Sequence, residues 1–175
     1  MQVPARLTPA TAADVAGAIV AAYRELRGHD PPAASSWLWP LALSSNETAA
    51  WRKLWNQNVG NVTTADPAST WYANPDVTAP LKFRAFDSLR AGARSMLHVL
   101  DQHGGLTAAD QGDRDAWQAA LDGYLGAPYP APWGLVASLQ GVSPRAPSSG
   151  ARGAAVAGAI FVGAFAFAAA ARARH

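Results

Sequence analysis

Glu47 is the residue whose setting most resembles a chemical device. An apolar run through Trp37, Leu38, Trp39, Leu41 and Leu43 precedes it, Trp51 and Trp55 follow it, and the only other glutamate, Glu25, lies in the polar part of an amphipathic segment. At the C-terminal end of an apolar helix, desolvation and the negative end of the helix dipole both disfavour a carboxylate, so the proton should be held to higher pH. A carboxyl tuned upward is what a general acid requires. The plainer alternative is a helix-end acid paired with Arg52 or Lys53. Other chemistries lack their residues. Cys is absent, which excludes thiolate metal sites, disulfides and a cysteine nucleophile. His29, His98, His103 and His175 have no metal-ligand spacing, His98 and His103 at i, i+5 do not share a helix face, and neither a phosphate-binding glycine loop nor a G-x-S-x-G elbow is present. No metal and no cofactor is expected.

The elements that must position Glu47 follow from periodicity and caps. Thr11 with Asp14 predicts a capped helix start, and Val15, Ile19, Tyr23 and Leu26 form a stripe that ends at Gly28. Asp87 or Ser88 opens a second helix with Leu89, Ala93, Met96, Leu97 and Leu100 on one face, closed by Gly104 and Gly105. Asp113 opens a third, with Trp117, Ala120, Leu121 and Tyr124 on one face. The apolar stretch from Ser35 predicts a buried helix with a kink or a late start at Pro40. Residues 59–86, rich in Thr, Asn, Asp and Pro and ending in LKFRAF, predict a short irregular β-hairpin. The expected body is mainly α, of the α+β kind, with a small β insert.

Four strings stand in a recognisable order: Leu43 to Thr48 (LSSNET), Asn56 to Asn61 (NQNVGN), Phe83 to Ser88 (FRAFDS) and Gly123-Tyr124. Together they resemble the lysozyme-like glucosaminidase or muramidase domain of glycoside hydrolase family 73 and the flagellar rod-assembly muramidases, over about residues 12 to 130. Ala49 departs from the pattern, which usually places Gly after Glu-Thr. The resemblance implies a lysozyme-like domain that cleaves β-1,4 bonds of the peptidoglycan glycan strand, with Glu47 protonating the leaving oxygen. It also implies that Asn58 holds a sugar or its N-acetyl group and that Tyr124 lines the same site and stabilises charge or positions the ring. Seven Trp supply aromatic faces for sugar; Trp71 and Tyr72 in the insert are both expected to be exposed and to bind it, whereas Trp37, Trp39, Trp51, Trp55 and Trp117 are expected in the core. Asp66 and Asp76, the acids of the insert, are the candidates for a second carboxylate, and hydrolysis and lytic transglycosylation both stay open. The alternative is an inactive lysozyme-like protein with a wall-binding or structural role.

With 175 residues and only 15% charged, the chain is expected to hold one core and an appendage. Residues 1–144 carry 10 Lys and Arg against 12 Asp and Glu, so the basic balance belongs to Arg145, Arg152, Arg172 and Arg174. A slightly acidic body without a cationic stripe argues against nucleic acid as a partner. Gly153 to Ala171 contains no polar side chain, and at about 1.5 Å rise per residue it reaches roughly 28 Å, enough for a transmembrane helix. The domain plan is therefore a body over 1–135, a Pro/Gly/Ser-rich linker over 136–152, and a membrane helix over 153–171. Small residues such as Ala154 and Gly158, or Ala159 and Gly163, favour self-association of that helix. Residues 1–10 lack the pattern of a signal peptide. The expectation is a protein anchored in a cell-envelope or virion membrane, carried there as part of a phage particle.

Overall fold

The computed structural model describes residues 1–126 and 128–146; the apolar run at 153–171 and the linker beyond 146 lie outside them. The chain order is α1 (Ala12–Arg27), α2 (Ser35–Glu47), β1 (Trp71–Tyr72), β2 (Phe83–Arg84), α3 (Leu89–Gln102), α4 (Gly105–Gln111), α5 (Arg114–Leu125) and α6 (Trp133–Leu139). The domain is mainly helical with one small antiparallel sheet. Among the described residues no helix is long and apolar enough to cross a membrane.

α1 begins as its sequence demands. Thr11 Oγ1 accepts from the Asp14 amide at 3.3 Å, and the Asp14 carboxylate accepts from the Thr11 amide at 3.0 Å. This reciprocal pair satisfies two of the donors that every helix start leaves open. Gly28 ends the helix in the left-handed region at φ 74° and donates to the Arg24 carbonyl. Val15, Ile19 and Tyr23 are fully buried, and α1 packs against both α3 and α2. On α3 the cap is Ser88, which accepts from the Ala91 amide at 3.1 Å, and the buried side is Ala93, Met96, Leu97 and Leu100. Asp113 caps α5 through the amides of Asp115 and Ala116.

α2 runs unbroken from Ser35 with Pro40 inside it, so the helix does not start late at the proline. Nine of its residues are buried, which explains why its sequence shows no polar face: α1, α4 and α6 surround it. Trp39 packs its ring against Trp117 at 5.6 Å and Trp133 at 5.0 Å. α4 and α6, of seven residues each, were not foreseen. The first is too short for periodicity to register, and the second follows a run of prolines.

The β insert is a hairpin of two residues per strand, with Trp71 opposite Arg84 and Tyr72 opposite Phe83. Its edge is extended by the N-terminus: Val3 donates to the Trp71 carbonyl at 2.9 Å, and Trp71 donates to the Met1 carbonyl at 3.0 Å. At the other end of the chain, the expected boundary at 135 falls inside α6. The first part of the expected linker lies on the body: Arg145 donates its amide to the Ala13 carbonyl at 2.9 Å, and its guanidinium meets Asp14 at 2.8 Å.

Candidate active site around Glu47

Glu47 is the last residue of α2 and is half-buried. The helix is stopped by a compact polar knot. Thr48, fully buried, donates its hydroxyl to the Ser44 carbonyl at 2.7 Å, while the Trp51 indole donates to the Ser44 hydroxyl at 3.1 Å. Ala49, Ala50 and Trp51 then take φ of 50°, 56° and 62°. Three successive residues without glycine in the left-handed region cost about 1–2 kcal/mol each. Bonds from Ala50 to the Ser45 carbonyl at 2.7 Å and from Lys53 to the Thr48 carbonyl at 3.0 Å hold the turn. Its result is a sharp reversal that leaves the Glu47 side chain at the end of the helix.

The Asn-rich turn supports the glutamate from beside it. Asn58, fully buried, closes a loop upon itself: its Nδ2 donates to the Val62 carbonyl at 2.9 Å and its Oδ1 accepts from the Val62 amide at 2.8 Å. The loop delivers Asn61, whose Nδ2 donates to the Glu47 backbone carbonyl at 2.6 Å. It also presents the Gly60 carbonyl to the Tyr124 hydroxyl at 2.8 Å. Gly60 is required by space, because a Cβ there would lie 2.6 Å from Met96 Cγ.

From the other side comes Tyr129, whose hydroxyl donates to Glu47 Oε1 at 2.9 Å and accepts from the Asn46 side chain. The loop carrying it is pinned to α5, since the Tyr129 amide donates to Asp122 at 2.9 Å and Gln118 bonds the Tyr129 carbonyl and the Ala131 amide. Burial pushes the Glu47 carboxyl above the ordinary range, and the bonds from Tyr129 and Asn61 hold back part of that rise. Tyr124 and Tyr129 are both pushed up, first by burial and then by the negative charge Glu47 would carry. Both phenols therefore remain donors while Glu47 titrates.

The arrangement brings Glu47, Tyr124 and the Asn58 loop together, but it changes the part played by Asn58. Both polar atoms of Asn58 bond Val62 and the side chain is fully buried, so this residue shapes the turn from inside the fold. Tyr124, tied to Gly60, likewise braces the turn. Lys53 is paired with Asp76 at 3.2 Å, and among the described residues no ion pair reaches Glu47. The two acids of the insert are engaged elsewhere. Asp66 accepts from the Ala68 amide at 2.9 Å and the Ser69 hydroxyl at 2.8 Å, and these bonds hold its carboxyl below the usual range. Asp76 accepts from the Trp55 indole at 2.9 Å, which with Lys53 lowers its carboxyl too. Among the described residues no hydrogen bond or ion pair joins either acid to Glu47.

The expectation of an exposed Trp71-Tyr72 pair is met in neither half. Tyr72 is fully buried with its ring 5.8 Å from that of Phe83, because the pleat turns alternate residues to opposite faces and Tyr72 takes the inward one. Trp71 is half-buried, with Lys82 Nζ 5.0 Å from its ring centroid. As expected, Trp39, Trp51 and Trp117 are core residues, while Trp37 and Trp55 are half-buried.

Two partners of Glu47, Asn61 and Tyr129, and Asn46, which bonds Tyr129, were not singled out from the sequence. Asn61 closes the NQNVGN string and takes a left-handed φ of 48°, which Asn tolerates better than most residues. Tyr129 carries a weaker signal: it is a tyrosine fixed between Pro128 and Pro130 shortly after α5. Asn46 precedes the glutamate on an exposed helix position, and nothing in its spacing marks it. Among the described residues, no group of three or more His, Cys, Asp or Glu could hold a metal ion.

Fold and site together define a mainly helical domain that presents one glutamic acid with a raised pKa at a helix end, braced by an Asn-rich turn and a tyrosine. No family model, curated protein or solved structure matches the chain.

Proposed function

We propose that this lysozyme-like domain is a glycosidase cleaving β-1,4 bonds of the peptidoglycan glycan strand, with Glu47 as the general acid. The observation that carries the reading is the Glu47 carboxyl at the end of α2, desolvated yet held by donors. Burial favours the protonated carboxyl, and the Tyr129 hydroxyl at Oε1 leaves the other oxygen to carry the proton. As the proton passes to the glycosidic oxygen, the developing carboxylate is stabilised by the same Tyr129 bond, so the group both retains its proton and can release it. The Asn61 bond and the Tyr124-braced turn fix the helix end against which the sugar would sit. With Asp66 and Asp76 engaged elsewhere, attack by the substrate's own hydroxyl, as in a lytic transglycosylase, is favoured over hydrolysis through a second carboxylate. The apolar run 153–171 supports anchoring in a cell-envelope or virion membrane, consistent with a phage particle component.

The engagement of both insert acids also favours a second reading, in which the domain binds the wall without cutting it and serves a structural or assembly role. Zymography on peptidoglycan gels with wild type beside Glu47→Gln separates the two. Clearing by wild type and none by the variant supports the enzyme. Equal clearing by both removes Glu47 from the chemistry, and retention on walls without clearing by either supports the binder.

A further inference from the structure

The N-terminal segment ahead of α1 has no part in the motifs that suggested a function, yet it makes a dense set of bonds to the turn that braces Glu47. Asn56 is enclosed by it. Its Oδ1 accepts from the Arg6 amide at 2.6 Å, its Nδ2 donates to the Pro4 carbonyl at 3.0 Å, and its own amide donates to the Arg6 carbonyl at 2.8 Å. One residue on, the Gln57 amide donates to the Thr8 hydroxyl at 3.0 Å, and the Thr8 amide donates to the Leu54 carbonyl at 2.8 Å. Asn56 and Gln57 have φ of 47° and 60°, conformations that persist only where the surroundings impose them. The far end of the segment is fixed to the insert through Val3 and Trp71. On the opposite side, Gln57 O lies so close to Gly92 on α3 that a Cβ there would sit 1.9 Å away. The turn is thus clamped between α3 and the segment.

We propose that residues 3–8 are a positioning strap: by holding Asn56 and Gln57 in the left-handed region, they fix the register of the Asn58–Asn61 loop and so the Asn61 bond to the Glu47 carbonyl. Asn56 and Thr8 are its positioning residues. The catalytic consequence rests on the function proposed above; the mechanical claim does not.

The test uses the full-length chain with Asn56→Gly and Thr8→Val. The glycine keeps the left-handed backbone at no steric cost and removes only the carboxamide, and the valine removes only the hydroxyl bond to Gln57. Hydrogen exchange is read at Gln57, Asn58 and Val62, with α1 amides as reference. In Asn56→Gly these amides should exchange at least about tenfold faster while α1 is unchanged, since the local opening, and not global unfolding, is what the strap controls. In Thr8→Val the Gln57 amide should show the same change, which also covers the case in which Asn56→Gly does not fold. Release of soluble glycan fragments from peptidoglycan should fall about tenfold in kcat with KM unchanged, the signature of a misplaced reacting group. Unchanged exchange in a folded variant overturns the strap, as does a loosened turn with unaltered kcat. If wild type cleaves nothing, the function proposed above fails by itself, and the exchange data still decide for or against the strap.

Discussion

α1 and the stretch from Thr48 to Val62 carry comparable lengths of chain but are determined in different ways. In α1 each backbone bond repeats its neighbour, the ends are closed by Thr11 and Gly28, and burial of Val15, Ile19 and Tyr23 against α3 supplies the driving force. In the stretch after Glu47, Ala49, Ala50, Trp51, Asn56, Gln57 and Asn61 all hold positive φ, and single side-chain bonds from Thr48, Asn58 and the N-terminal segment fix the path. A repeated structure spreads the consequence of one change over many equivalent contacts. A path fixed one bond at a time concentrates it, and the candidate catalytic acid sits on the second kind of structure.

The contrast is broken most directly by one methyl group added to α1 and another pressed against the turn from α3. Gly92→Ala drives a Cβ to 1.9 Å from Gln57 O, backbone against backbone at the base of the turn, and should cost about 2–4 kcal/mol. Gly17→Ala on α1 meets Arg145 O at 1.7 Å, a carbonyl of the chain after α6 that is tied to α1 by the Arg145 amide and guanidinium bonds alone among the hydrogen bonds and ion pairs of the described residues. The higher helix propensity of Ala, about 1 kcal/mol, offsets the loss of the Arg145 contacts, so the net change should stay within about 1 kcal/mol. Denaturant midpoints for the two variants check this, and equal costs would erase the distinction between the regions.

Thr11→Ala should cost about 1 kcal/mol through the lost cap while leaving wall lysis per folded molecule unchanged, because the side-chain bonds of Thr11 go to Asp14 and to none of Glu47, Asn61 or Tyr129. Parallel melting and lysis measurements on this variant would detect any coupling. In the other direction, Ala49→Gly relieves a left-handed Ala at φ 50° and should stabilise by up to about 1 kcal/mol. A fall in the melting temperature would show that Ala49 is not strained.

The two regions should also respond to pH with opposite signs. Glu47 has a raised carboxyl in the folded state, so its contribution is complete below the unfolded value and is lost as pH rises through the folded one. Asp14 is held below its usual range, first by its bonds with Thr11 and further by Arg145, so its contribution is present above the unfolded value and is lost as pH falls through the folded one. Denaturant midpoints across the acid and neutral range should therefore lose their decline on the alkaline side in Glu47→Gln and soften on the acid side in Asp14→Asn.

The same division explains what could be read in advance. α1, α3 and α5 were legible because each carries a capping residue and a stripe at helical spacing. The unusual setting of Glu47 was legible for a related reason: an acid ending an apolar helix is a departure from a regular pattern. α6 follows prolines and buries only Val136 and Leu139, too little for periodicity to show. Asn61 and Tyr129 reach Glu47 from distant parts of the chain, and Asn58 turned inward to Val62 instead of outward; such choices are settled by tertiary bonds that no local spacing encodes. Tyr72 illustrates the same limit, since a shift of one residue in strand register would have exposed it.

The claim that Glu47 is the acid rests on one comparison of rates. Release of soluble glycan fragments from purified peptidoglycan, which hydrolysis and transglycosylation both produce, should be measured for full-length wild type and Glu47→Gln at matched concentrations of folded protein. The account predicts cleavage by wild type and a loss of about 10² to 10⁴ in the variant, the usual contribution of a general acid. Cleavage by Glu47→Gln within about tenfold of wild type would contradict it.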